Sequence, residues 1–156
     1  LSKAMGLNGL VVMFICNHCP YVKAILPRLV SDLAELKKLG INAVAISSND
    51  AVKYPEDSFA NMQKISNNHL FSFPYLFDQT QELAKSYNAI CTPDFFGFNQ
   101  ALELQYRGRF DSSGRGEPPL DNKRDLYHAM KLVAETQKGP NEQFSSIGCS
   151  IKWKDS

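Results

Sequence analysis

The sequence predicts an α/β fold in which a mixed β-sheet lies between layers of helices. Two observations indicate this class. Short apolar runs typical of buried strands alternate with segments of helical periodicity over most of the chain. A predicted hairpin and a final helix follow them, and a hairpin adds antiparallel strands to the parallel strands that such alternation produces. The sheet is therefore expected to be mixed.

The first part of the chain supplies two strands and the longest helix. The apolar run Leu10–Ile15 predicts a buried strand, and a helix is expected over about Cys19–Leu39. Pro27 should kink this helix, and Gly40 should end it. Ile41–Ser47 is apolar and partly β-branched, as in a strand that is buried on both faces. The helix has an apolar face with spacings of three or four residues, formed by Val22, Ile25, Leu26, Leu29, Leu33 and Leu36.

The middle of the chain predicts two more helices around a short strand. A helix is expected to begin at Pro55, because proline is tolerated in the first helical turn. The strand is Phe73–Phe77, and a short helix is expected over Gln79–Tyr87. The residues predicted to face inward from the two helices are Phe59, Met62 and Ile65 in the first, and Leu83, Ala84 and Tyr87 in the second.

The last predicted elements are a hairpin, a loop and a helix. The hairpin comprises Asp94–Phe98 and Leu102–Tyr106, which turn around Asn99-Gln100-Ala101. Asp111–Asp121 is rich in glycine, serine and proline and predicts a loop. The final helix should end by Gly139, and its apolar positions are Leu126, Met130 and Val133.

Length and composition place limits on the organisation and the partners of the protein. Residues 1–156 are expected to form a single domain, in which residues 141–156 are an irregular C-terminal tail without periodicity. A formal net charge of +1 gives no reason to expect a nucleic-acid partner, and no apolar run approaches the ~20 residues that span a membrane.

The sequence begins at Leu1 without a methionine, so we expect a processed or truncated N-terminus. A cytoplasmic location is favoured, with the periplasm or export as the alternative if a signal precedes Leu1.

The motif Cys16-Asn17-His18-Cys19 carries the clearest chemical signal. A Cys-x-x-Cys pair between a buried strand and a helix is typical of a redox-active dithiol. Two cysteines three positions apart on a first helical turn can reach disulfide distance, and the helix N-terminus stabilises a thiolate. We expect Cys16, as the more exposed sulfur, to be the nucleophile and Cys19 to resolve the mixed disulfide. The alternative is a reduced, inert pair in the core.

His18 has two interpretations. A nearby imidazolium would stabilise the Cys16 thiolate and make the couple more oxidising, whereas a solvated histidine would have little effect. The segment Leu7–Ile15 contains no carboxylate, so a proton leaving Cys19 must use water, His18 or another group.

The other two cysteines, Cys91 and Cys149, are isolated in the sequence. A metal site would need distant ligands, so neither a metal nor another cofactor is expected. Cys91 is interpreted as a small buried hydrophobe, with a place near the redox pair as the alternative. For Cys149 a packed or exposed thiol is favoured over a third redox cysteine. Arg107 and Arg109 should share one face of a strand, either solvated or in contact with substrate.

Several motifs together resemble a known family. A strand, the Cys16-x-x-Cys19 motif, a helix and a late Thr92-Pro93 resemble the thioredoxin fold. More narrowly, the chain resembles a peroxiredoxin-like subfamily of the AhpC/TSA superfamily in its blocks Phe14–Val22, Tyr54–Ser58, Thr92–Phe96, Tyr106–Arg109 and Gly148–Trp153. The resemblance implies an extra helix and strand between the cysteine motif and Pro93. It also implies a cis Pro93 that leaves the backbone of Thr92 open to a substrate peptide.

The resemblance implies a thiol–disulfide oxidoreductase that acts on protein or small-molecule thiols and disulfides and is served by an unidentified reductant. The implied site residues are Cys16, Cys19, His18, Thr92 and Pro93. A peroxidase is one alternative, although peroxiredoxins place Thr or Ser three residues before the reactive cysteine. Here that position holds Met13 before Cys16, and Cys16 itself before Cys19. A non-catalytic binding module is the other alternative, and the cysteine pair argues against it.

Overall fold

The computed structural model describes residues 2–155. Within these residues the fold has seven strands and four helices, with short 3-10 turns at Ser2–Ala4 and Pro55–Asp57. The strands are β1 (Gly9–Phe14), β2 (Ile41–Ser47), β3 (Tyr75–Phe77), β4 (Cys91–Thr92), β5 (Asp94–Asn99), β6 (Leu104–Gly108) and β7 (Cys149–Ser150). The helices are α1 (Pro20–Lys38), α2 (Phe59–Asn68), α3 (Glu82–Tyr87) and α4 (Asp125–Thr136).

The main sheet has five strands in the order β3-β2-β1-β5-β6. The strand β1 pairs in parallel with β2 and antiparallel with β5, so the predicted mixed sheet is confirmed. All six residues of β1 are buried, because the central strand is covered on both faces. The helix α2 and the strand β3 are the extra helix and strand between the cysteine motif and Pro93. The short strands β4 and β7 form a separate antiparallel ladder.

The two faces of the sheet bury different helices. Alternate residues of β1 point to opposite faces, as in any strand. Val11 and Met13 pack in the cluster that includes α1 and α4, whereas Leu10 and Val12 pack in the cluster that includes α3 and Ile151 of the tail. All six residues of the predicted apolar face of α1 are buried, as are the three predicted positions of α4. Helical periodicity therefore located both helices of one layer.

The helix predicted from Pro55 begins later than expected. Pro55–Asp57 forms a 3-10 turn, and α2 begins at Phe59 with the Ser58 side chain accepting a hydrogen bond from the backbone N–H of Asn61 at 3.2 Å. Met62 is buried as predicted, but Phe59 is 51% exposed rather than inward. The serine cap sets the start of α2, so Phe59 is the first residue of the helix.

Two further local predictions differ from the structure. The second strand of the hairpin is Leu104–Gly108 rather than Leu102–Tyr106, because the turn is longer. The Asn99 side-chain oxygen accepts hydrogen bonds from the N–H groups of Ala101 and Glu103 and holds that longer turn. In α3, Ala84 is buried, but Leu83 is 41% exposed rather than inward.

The C-terminal segment is largely irregular, as expected, but it includes β7 and buries Ile151. Its pairing partner is β4, which lies far away in the sequence, so no local periodicity could reveal it. Within residues 2–155, no helix combines the length and the apolar character needed to cross a membrane.

Candidate active site

The cysteine motif lies at the junction of β1 and α1. The helix begins at Pro20, and Cys19 is its N-cap residue in an extended conformation. Cys16 therefore belongs to the loop before the helix, not to the first helical turn on which the sequence analysis placed both cysteines. Cys16 is 2% exposed and Cys19 is fully buried, so Cys16 is the more exposed sulfur, as expected, but by a small margin. The premise that Cys16 lies on the first helical turn is not met by this geometry.

The two thiols of the motif are close enough to affect each other's pKa, and their surroundings favour negative charge on Cys19. Interaction with the Cys16 thiol lowers the pKa of Cys19 to about 4, with smaller contributions from the Cys149 thiol and the Val22 backbone N–H, while burial opposes the shift. The same interaction, together with burial, raises the pKa of Cys16 above the ordinary thiol range, and the Asp57 charge adds to this effect. The pair can therefore hold one proton, on Cys16, and one thiolate, on Cys19.

Thr92 touches both sulfurs from the opposite side. Its hydroxyl oxygen lies 3.5 Å from the Cys16 sulfur, and its carbonyl oxygen lies 3.3 Å from the Cys19 sulfur, to which Cys19 can donate when it is protonated. The Thr92-Pro93 peptide bond is cis, so that prediction is confirmed. Fold topology thus brings together two segments of the chain that are more than seventy residues apart.

The backbone of Thr92 is not open, contrary to the expectation that a substrate peptide could pair with it. The strand β7 occupies this edge, with Cys149 paired directly opposite Thr92. Gly148 makes the close approach possible, since a Cβ on it would lie 2.0 Å from the Thr92 carbonyl oxygen. The tail therefore covers the edge next to the redox pair and presents a cysteine there.

Asp57 is the residue that sequence reasoning missed. It is fully buried, and one of its oxygens accepts hydrogen bonds from the backbone N–H groups of Asn17, at 2.8 Å, and His18, at 3.2 Å. Its other oxygen accepts from the Asn49 amide at 2.9 Å. The carboxylate thus holds the motif loop by hydrogen bonds of the stronger, charge-assisted kind. Its one signal in the sequence was its place in the Tyr54–Ser58 block.

His18 completes this arrangement from the half-exposed side of the motif. Its Nδ1 lies 2.5 Å from the second Asp57 oxygen, and the two form an ion pair when the imidazole is protonated. The imidazole stacks on the Tyr54 ring with a centroid distance of 5.9 Å, and its side chain is 26% exposed. The predicted association of His18 with the motif therefore includes a buried carboxylate partner, although β1 itself has no carboxylate.

One group of side chains within residues 2–155 could offer three ligand atoms to a metal ion. Cys16, His18 and Asp57 place these atoms within 4.8 Å of one another. Both oxygens of Asp57 already accept hydrogen bonds from protein donors, however. We therefore attribute the carboxylate to the positioning of the motif loop and of His18.

The remaining predicted residues lie around this centre. Cys91 is buried, its thiol donates weakly to the Pro93 carbonyl oxygen at 3.7 Å, and burial raises its pKa to about 12.

The two arginines do not form one solvated face. Arg107 pairs with Asp94 at 3.4 Å, and Arg109 pairs with Asp125 at 2.6 Å. Both cations are thus engaged with carboxylates.

Comparison with known proteins places the chain in a family. The profile of the AhpC/TSA family matches residues 1–110. A comparison with curated proteins gave no match.

Solved structures agree with this result. An uncharacterized conserved protein from Geobacillus kaustophilus is 44% identical with a TM-score of 0.94, over 100% of this chain and 82% of that one. A hypothetical protein from Sinorhizobium meliloti is 35% identical with a TM-score of 0.92, over 99% and 84%. A thiol:disulfide interchange protein of the thioredoxin family from Chlorobium tepidum shares the fold at 15% identity and a TM-score of 0.64, over 85% and 84%. The chain therefore belongs to the AhpC/TSA family and has a thioredoxin-like fold.

Proposed function

We propose that this protein is a thiol–disulfide oxidoreductase whose Cys16/Cys19 pair exchanges with disulfides of proteins or small molecules. One observation carries the proposal. The Cys16 and Cys19 sulfurs both contact Thr92, within 3.5 Å, beside the N-terminus of α1, under conditions that favour a thiolate on one and a proton on the other. A thiolate attacks disulfides and a neighbouring thiol completes the exchange, so the pair has both parts of the chemistry.

The exchange proceeds in two balanced steps. The Cys19 thiolate attacks one sulfur of the substrate disulfide. The S–S bond of the substrate breaks, and the other sulfur leaves as a thiolate that takes up a proton. Cys16 then gives up its proton and attacks the Cys19 sulfur of the mixed disulfide. The second substrate thiol leaves, and a Cys16–Cys19 disulfide forms. Two electrons pass from the pair to the substrate, and a dithiol reductant returns them.

These roles reverse the order predicted from the sequence, for a physical reason. A thiolate is stabilised by hydrogen-bond donors and by the positive end of a helix, and disfavoured by a nearby carboxylate. The first two features surround Cys19, whereas Asp57 acts against charge on Cys16. We therefore assign the attacking thiolate to Cys19 and the resolving thiol to Cys16.

His18 and Asp57 act on the pair as positioning residues. The carboxylate holds the loop that carries Cys16 and orients the imidazole beside it. A protonated His18 also offsets the charge of Asp57, which would otherwise raise the cost of a thiolate in the pair. Thr92 contributes a hydroxyl to Cys16 and lines the opposite side of the pair together with Pro93.

Two assays run side by side test the proposal. The protein should accelerate the reduction of insulin and of oxidised glutathione by dithiothreitol, and Cys19→Ser should return both rates to the blank. Cys91→Ser, which removes a thiol outside the pair, should behave as the wild type. A wild-type rate equal to the blank with both disulfides would overturn the proposal. Consumption of hydrogen peroxide without disulfide reduction would favour the peroxidase instead.

A further inference from the structure

Three cysteines, not two, meet at the candidate active site. The Cys16 and Cys19 sulfurs both contact Thr92, at 3.5 and 3.3 Å, and Cys149 pairs directly opposite Thr92. Cys16 and Cys149 are both close enough to Cys19 to affect its pKa. A central sulfur with two thiol neighbours can form a disulfide with either one, provided that the backbone allows the required approach. The structure contains the three as free thiols.

The β4–β7 ladder explains why Cys149 lies there. Cys149 pairs directly with Thr92, and directly opposed residues of an antiparallel ladder project to the same face. The Thr92 hydroxyl is already in contact with Cys16, so this is the face of the redox pair. Cys91 precedes Thr92 and pairs with Ser150, which places it on the opposite face of the ladder.

Exposure distinguishes the three thiols. Cys16 and Cys19 are buried, whereas Cys149 is only partly buried. A partner protein or small thiol therefore reaches Cys149 with less rearrangement than it needs to reach either sulfur of the pair. Two cations, Lys152 and Arg115, are close enough to favour a thiolate at this position, although burial and the Cys19 contact act against it.

We infer that Cys149 is a third redox thiol. It replaces Cys16 as the disulfide partner of Cys19 and so moves the disulfide from the interior to the partly exposed tail. This inference rests on the proposed function, because it starts from the oxidised Cys16/Cys19 pair. It adds a site and a route for electrons that the proposed function does not require.

The exchange is balanced within the protein. Cys149 loses its proton and its thiolate attacks the Cys19 sulfur of the Cys16–Cys19 disulfide. The Cys19–Cys149 bond forms as the Cys16–Cys19 bond breaks, and Cys16 leaves as a thiolate that takes up one proton. No electron leaves the protein in this step. An external dithiol can then attack the Cys149 sulfur, become oxidised to its own disulfide and return the protein to three thiols.

Disulfide mapping tests the inference directly. The wild type and the variants Cys16→Ser, Cys149→Ser and Cys91→Ser are oxidised with one equivalent of diamide, blocked with N-ethylmaleimide and digested without reduction. Trypsin leaves the pair on residues 4–23 and Cys149 on residues 139–152, so a link between the two peptides has its own mass. Cys16→Ala repeats the first variant with a side chain that cannot hydrogen-bond.

The expected result is a Cys16–Cys19 and a Cys19–Cys149 disulfide in the wild type and in Cys91→Ser. Both Cys16 variants should yield the Cys19–Cys149 link, and Cys149→Ser should lose it completely while retaining Cys16–Cys19. If both Cys16 variants leave Cys19 and Cys149 labelled by N-ethylmaleimide while the wild type forms Cys16–Cys19, the inference fails and the proposed function stands. If the wild type forms neither disulfide, both fail.

Discussion

The two sides of the candidate active site are held by different means. On the motif side, a buried carboxylate, Asp57, accepts hydrogen bonds from two backbone N–H groups of the loop and faces His18. On the ladder side, the backbones of β4 and β7 approach so closely that Gly148 has no room for a side chain. The motif side therefore depends on the charged Asp57 carboxylate, and the ladder side depends on the absence of a side chain at Gly148. The two sides should respond to different substitutions.

Cys19 is in contact with both sides, so its replacement should have the largest effect. Cys19→Ser should abolish disulfide exchange, because it removes the thiolate. The double variant Cys16→Ser/Cys149→Ser should instead trap a mixed disulfide through Cys19, since both thiols that could release it are gone. Mass spectrometry after incubation with oxidised glutathione detects the trapped species. Glutathione bound to Cys16 in Cys19→Ser, and none bound to Cys19 in the double variant, would restore the order predicted from the sequence.

The same assignment predicts the pH dependence of the pair. A lowered pKa means that Cys19 is already a thiolate at neutral pH, and its reactivity should fall only as the pH drops toward about 4. The rate of its alkylation by iodoacetamide, followed by peptide mass spectrometry, should therefore titrate well below the value of about 8.5 for an ordinary thiol. The midpoint, not the absolute rate, is the measure, because burial slows alkylation at every pH. A midpoint at or above the ordinary value contradicts the assignment.

Removal of the carboxylate should break the motif side alone. Asp57→Ala takes the acceptor from the Asn17 and His18 backbones, and hydrogen bonds to charged groups contribute about 1.5–3 kcal/mol each. We expect the free energy of unfolding in urea to fall by on the order of 3 kcal/mol. The matched control is Glu56→Ala, which removes the neighbouring exposed carboxylate and should change little. Equal stability of Asp57→Ala and Glu56→Ala would show that the loop does not depend on Asp57.

A single methyl group should disturb the ladder side alone. In Gly148→Ala the new Cβ meets the Thr92 backbone at 2.0 Å, so β7 must move away and take Cys149 with it. Overpacking of this kind costs about 1–3 kcal/mol. We expect that loss of stability, together with loss of the Cys19–Cys149 link after oxidation. Gly116→Ala, where a Cβ meets nothing within 4 Å, is the control. An undiminished link in Gly148→Ala would contradict the described register.

The smallest expected effect concerns the charge of His18. His18→Asn keeps the backbone N–H that donates to Asp57 but removes an imidazole that is a cation when protonated, which disfavours the thiolate form more than the neutral disulfide. The reduced pair becomes less stable, so the couple should become more reducing. A nearby charge at a partly exposed site contributes on the order of 1 kcal/mol, and about 30 mV corresponds to 1.4 kcal/mol for two electrons. Equilibration against a glutathione redox series should show a decrease of at most a few tens of millivolts.

The control for this substitution is His128→Asn, at an exposed position on α4. It should leave the potential unchanged. If His18→Asn also leaves the potential unchanged, or raises it, then His18 does not tune the pair.

The sequence by itself determined the fold class, the apolar faces of α1 and α4, the central buried strands and the location of the cysteine motif. These features depend on residues a few positions apart, and local spacing records them directly. These features could be predicted without information about distant parts of the chain. The cis Thr92-Pro93 bond was also predicted, although through a family resemblance and not through local spacing.

Only the tertiary structure decided what surrounds the two sulfurs. Asp57 reaches the motif from forty residues away, and Cys149 reaches Thr92 through a two-residue ladder that has no periodic signal. Cys16 lies in the loop before α1 and near the Asp57 charge, whereas Cys19 is the N-cap residue of α1, so packing gives the two thiols different environments. The reason is physical: the stability of a thiolate depends on every donor, charge and buried surface around it, and packing of the whole chain brings these together.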